Sequence, residues 1–135
     1  MKLRWIALVV AFLTLLGTTP SSWASLFTPG NLVVLQVGGT AGSTQTVTLK
    51  EFTTSGTAGA SLTLNSTGSG TKLTQVGNNN REGGLSLSAD KGYLVLTGYN
   101  LTTGVTDGSA TWNSAERVAA FVDRDGNVNY DVVGA

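Results

Sequence analysis

The chain has no cysteine and no histidine among its 135 residues, only two prolines, and few charges. Each shortage removes something. Without cysteine no disulfide can staple the fold, so packing and hydrogen bonds must hold it. Without histidine the commonest metal ligand, the usual general base and the Ser-His-Asp triad are gone. No Gly-x-Ser-x-Gly elbow replaces them. Charged residues make up 12% of the chain and the formal net charge is zero. Such a balance does not attract nucleic acid or an anionic membrane.

Hydrophobic residues are concentrated at the start. Lys2 and Arg4 precede an almost wholly apolar run from Trp5 to Leu16, and Ser22-Trp23-Ala24 places small residues where signal peptidase inspects them. This is the pattern of a secretory signal peptide over 1–24, cleaved after Ala24, which implies a secreted or extracytoplasmic protein in the periplasm or at the cell surface. The rival reading is a membrane anchor, but a span needs roughly 20 apolar residues. No span is expected after cleavage. In residues 25–135 six basic residues face eight acidic ones, a balance of about −2. About 111 residues suffice for one small domain.

The remainder is rich in Gly, Ser, Thr and Asn, punctuated by short apolar runs. Leu85 and Leu87 alternate with Ser86 and Ser88, the period-two pattern of a strand with one dry face. Ala89-Asp90-Lys91-Gly92 supplies turn chemistry, and Tyr93-Leu94-Val95-Leu96 returns as a second strand. Further strands are predicted over 31–37, 47–52, 60–64, 117–122 and 128–133, with Phe27 as a plug against the first sheet. The stretches 41–46, 65–84 and 100–113 read as polar loops, the last anchored by Trp112. Ser114 to Ala120 could pass for a helical turn, but its Val-Ala-Ala-Phe-Val continuation fits a buried strand. A weak internal repeat pairs Leu32–Leu35 with Leu94–Leu96, Lys50–Gly56 with Ala119–Gly126, and Ser61–Leu64 with Tyr130–Val133. The fold class predicted is all-β: short antiparallel meanders in two units, about 25–77 and 78–135, that must stack to bury their faces.

Ser88-Ala89-Asp90-Lys91-Gly92-Tyr93-Leu94 resembles the Ser-x-Asp-Gly-x-x-Leu turn of β-propeller blades, with Lys91 inserted. Leu26 to Val34, Glu51-Phe52, Glu82-Gly83 and Thr97-Gly98-Tyr99 extend the likeness. Together they look like the opening of a secreted, mainly bacterial, propeller-like family without assigned function. The resemblance implies about two blades of an incomplete propeller, from a truncated gene product or a fragment. It implies a binding or structural module without intrinsic catalysis, whose open edges favour self-association or a cell-surface protein or glycan partner. The rivals are a fragment of a propeller hydrolase and an adhesin-like stacked β protein, though a solenoid should show a shorter and more regular repeat.

Candidate sites are few. Arg81 and Glu82 would sit near a propeller's channel mouth as ligand contacts, or else form a solvated surface pair. Asp123, Asp125 and Asp131 invite a calcium reading, but Gly126 falls at the fourth loop position and Gly134 at the twelfth, so a tight turn explains them. No cofactor is expected. Asn65-Ser66-Thr67 and Asn100-Leu101-Thr102 match the glycosylation pattern. Asp90, Asp107, Glu51 and Glu116 are not brought together by any spacing, and turn or surface roles are expected of each. Trp112 and Tyr99 could stack a sugar or pack between blades. N-terminal sequencing of exported protein should begin at Ser25; a retained Met1 would reverse the signal-peptide reading.

Overall fold

The computed structural model describes residues 25–78 and 84–134. Residues 1–24, read above as a signal peptide, and the candidate ligand contacts Arg81 and Glu82 lie outside the described residues. Eight strands form one antiparallel sheet: β1 (Leu32–Val37), β2 (Thr44–Phe52), β3 (Ala58–Thr63), β4 (Thr74–Val76), β5 (Leu85–Leu87), β6 (Tyr93–Tyr99), β7 (Arg117–Asp123) and β8 (Val128–Val133). A single helical turn, α1 (Ala110–Asn113), precedes β7. The protein is all-β, as the alternation predicts. No long apolar helix able to cross a membrane occurs among the described residues.

Two meanders are visible in the pairing. β1, β2 and β3 pair in sequence order, and so do β5, β6, β7 and β8. They do not stand as separate layers. β4 pairs with Thr44–Thr46 of β2 on one side and, through Thr74, with Tyr99 of β6 on the other. The two units are thus hydrogen-bonded into one sheet, in the order β1-β2-β4-β6-β7-β8. The sheet is neither closed nor curled.

The dry face follows from parity. Val47, Leu49 and Glu51 of β2 share a face with Val33 and Leu35 of β1, and Leu96 of β6 shares one with Val118, Ala120 and Val122 of β7. Side chains of both meanders join Phe27, Leu64 and Leu73 in one apolar cluster. Phe27 is buried, as expected of a plug, and its amide donates to the Arg124 carbonyl between β7 and β8. A smaller cluster of Val76, Tyr99 and Ala115, backed by Leu101 and Trp112, forms around α1.

The seam at β4 is polar and tight. Thr44, Thr74 and Gln75 are buried, and the Thr74 hydroxyl donates to the carbonyls of Tyr99 and Leu101. Thr44 Oγ1 donates to the Thr102 carbonyl at 2.6 Å and accepts from the Val105 amide at 2.9 Å. Two glycines permit the close approach. A Cβ on Gly98 would lie 2.5 Å from the Thr74 carbonyl oxygen, and one on Gly77 would overlap the Thr40 carbonyl oxygen. Backbone cannot yield as a flexible side chain does, so overpacking here should cost about 1–3 kcal/mol. Denaturant melts of Gly77→Ala and Gly98→Ala should both show that loss. Gly39→Ala, with nothing within 4 Å of the added carbon, should stay within about 0.5 kcal/mol of the parent.

Candidate functional site

Three carboxylates are tied down by neighbouring donors. Asp123 Oδ1 accepts from the amides of Asp125 and Asn127, both at 2.9 Å, and Oδ2 accepts from Asn127 Nδ2 at 2.8 Å. The Asn127 side chain, before the backbone donors, holds this carboxyl below its ordinary value. Asp125 lies in the same turn, 3.6 Å from exposed Arg124. Asp131 is placed along β8 opposite Ala119, away from the turn. No group of three potential metal ligands occurs among the described residues. The Asp123 carboxylate is the cap of a hairpin turn.

Asp90 plays the same part at the other hairpin. It accepts from Ser88 Oγ at 2.6 Å and from the Gly92 amide at 3.0 Å, and these hold its carboxyl below the ordinary range. Lys91, within this turn, takes a left-handed φ of 60°, a region that residues with a side chain enter at some cost. Asn100 and Asn65 are also engaged. Asn100 Nδ2 donates to Glu116 Oε2 at 2.8 Å and its Oδ1 accepts from the Lys72 amide; Asn65 Nδ2 donates to the Thr71 carbonyl at 2.8 Å. Glycosylation at either would replace one hydrogen of an Nδ2 that is already a donor within the fold.

Glu51 is the third, and it is buried at 4% exposure. The register shifts between Lys50 and Phe52, where Gly59 and Ala60 face the single residue Glu51. The carboxylate fills this bulge. Oε2 accepts from the Ala60 amide at 3.0 Å, while Oε1 accepts from the Thr28 amide and from Asn31 Nδ2. A Cβ on Gly59 would lie 2.5 Å from Oε2, so a glycine is needed there. Sequence alternation carried a usable signal: Glu51 continues the dry parity of Val47 and Leu49.

Two surface features remain. A shallow cavity of about 110 Å³ opens among Phe27, Leu87, Tyr93 and Val122, with Lys91 and Arg124 at its rim. At the other end of the β6–β7 pair Tyr99, Trp112 and Arg117 form a stack. Tyr99 and Trp112 have ring centroids 3.8 Å apart, and the Arg117 guanidinium carbon lies 3.8 Å from the Tyr99 centroid. The local sequence builds it. Ser109 caps α1 by accepting from the Trp112 amide at 3.2 Å, which turns Trp112 onto Tyr99. β7 then sets Arg117 opposite Tyr99 in register. The aromatic pair singled out in the sequence is therefore packed together, with Tyr99 buried inside it. The arginine could not be found by spacing, because its partner lies on another strand.

No protein family, curated protein or solved structure matches the chain. Chemistry must therefore be read from the residues themselves.

Glu51 gives a pH prediction. The Ala60 backbone amide, then the Thr28 backbone amide and the Asn31 side chain, hold its carboxyl below the ordinary value of 4.5. A lowered folded pKa gives stability that is complete above the unfolded value and is lost as pH falls through the folded one. Glu51→Gln has one acceptor oxygen for three donors. Its melting temperature should be lower at neutral pH and fall less steeply below about pH 4.5 than the parent's. Parallel curves for the two proteins would remove Glu51 from the acid response.

Proposed function

We propose that the chain is an exported all-β binding and structural module that joins other β structure through the open ends of its sheet. The observation that carries this reading is the state of β1 and β8, which end the strand order with no further strand beside them among the described residues. The Gly38 amide donates to the Thr46 carbonyl, so even-numbered positions of β1 face β2. By alternation, Val33, Leu35 and Val37 turn their backbone groups outward. Leu32 and Val34 are exposed on the same strand, at 62% and 39%, and Val132 and Val133 are exposed on β8. Neither strand has the lysine or proline that commonly blocks edge pairing. Strand addition to such an edge is a general mode of recognition.

The propeller-like resemblance supports the same reading from another side. β5-β6-β7-β8 is a four-stranded antiparallel meander in sequence order, the connectivity of a propeller blade. In a propeller the neighbouring blade covers such an edge, and a second copy or another β protein can pair with it in the same way. The export signal over 1–24 sets the encounter outside the cytoplasm. No reaction is assigned.

Light scattering across a concentration series tests the proposal. The parent should associate as concentration rises, and Val34→Lys in β1, which puts an unpaired charge at the edge, should weaken that association about tenfold or more. A monodisperse parent with a sharp melt at every concentration sinks the reading.

A further inference from the structure

The Arg117 stack does more than pack. Arg117 is exposed, its guanidinium lies over the Tyr99 ring, and its carbon is 5.9 Å from the Trp112 centroid. Among the described residues its side chain makes neither an ion pair nor a hydrogen bond, and the ion pair present is Arg124 with Asp125. Stacking on an aromatic face fixes the plane of a guanidinium and leaves its in-plane N–H donors pointing to the side. A flexible surface arginine must lose rotamer freedom to bind an anion. This one is already held. Its fork geometry suits a carboxylate, taken by two parallel hydrogen bonds.

Beside that fork stands Trp112, half-buried on α1, one side packed on Tyr99. An indole next to a fixed guanidinium matches a ring with apolar C–H groups and a carboxylate at its rim. The geometry points to a binding site for uronic-acid residues of an acidic glycan, with the carboxylate on Arg117 and the sugar ring against Trp112. An acidic peptide would meet the same arginine, but it has no saturated ring to lay on the indole. Nearby anions do not occupy the fork. Glu116 accepts from Asn100, and Asp131 is on β8 opposite Ala119, two pairs along from the Arg117–Val133 pair and outside ion-pair distance of the arginine. This proposal goes beyond the edge-pairing function and does not depend on it.

The chain carries its own probe. Its three tryptophans are Trp5, Trp23 and Trp112, so full-length Trp5→Phe/Trp23→Phe protein reports Trp112 fluorescence alone. Titration with an oligogalacturonate should change that fluorescence saturably, and a neutral galactose oligomer of equal length should bind at least tenfold more weakly. Arg117→Lys keeps the charge but not the fork, and should weaken oligogalacturonate about tenfold while the melting temperature stays near the parent's. Arg117→Gln should abolish the response. Equal affinity for the neutral oligomer, tighter binding of polyglutamate, unchanged affinity in Arg117→Lys, or no response in the folded parent would each overturn the proposal. Association of the parent in light scattering reads the edge proposal separately, so either can fail alone.

Discussion

A carboxylate without a cation holds the first meander in shape. Burying a charge is unfavourable unless hydrogen bonds replace the lost water. Glu51 meets that condition with three donors drawn from two places, the bulged strand β3 and the segment leading into β1. One group therefore fixes both a strand register and the path of the segment from Ser25 to Asn31. The same segment reaches the far meander. Ser25 Oγ and the Phe27 amide both donate to the Arg124 carbonyl, and Phe27 enters the shared core. Leu26 lies against Gly126, where an added Cβ would come within 2.5 Å of it. Removing the charge would loosen one end of the strap that ties the β7–β8 turn to the first meander.

The second tie is β4, and it works by different physics. Its three residues are buried, yet two are polar, and threonine hydroxyls and amides make its contacts. Gln75 Nε2 donates to the Thr97 carbonyl at 2.7 Å, whereas its Oε1 is buried without a partner. An unpaired buried acceptor costs about 1–3 kcal/mol. The seam is thus specific more than it is strong. In a chain without disulfides, that leaves the apolar cluster and the strap to supply the cohesion.

These two ties explain which parts of the fold were legible in the sequence. Strands that bury an apolar face announce themselves by alternation, and β1, β3, β5, β6, β7 and β8 fall where the runs of leucine and valine place them. β4 gives no such signal. It is three residues inside a polar stretch read as loop, and hydrogen bonding rather than apolar burial makes it a strand. The extension of β2 to Thr44 was hidden for the same reason, because Thr44 is buried by carbonyls of the 102–105 segment. Joining the meanders through β4 is a non-local pairing that no local pattern encodes. Glu51 looked like a surface acid because composition outweighed parity. Asp123 was legible as a turn residue because its donors are two and four residues away.

The surfaces left over are of two kinds, and their placement matters more than either alone. Edges β1 and β8 offer backbone and apolar side chains, a chemistry that accepts another strand with little regard to its sequence. The Arg117 stack offers a fixed charge beside an aromatic ring, a chemistry that selects one class of ligand. Arg117 is paired in register with Val133 of β8. β8 therefore stands between Arg117 and that open edge, and a strand added there would meet β8 rather than the stack. The two surfaces are neighbours in the sheet but answer to different chemistry, backbone pairing at the edge and a fixed charge on an aromatic face one strand further in.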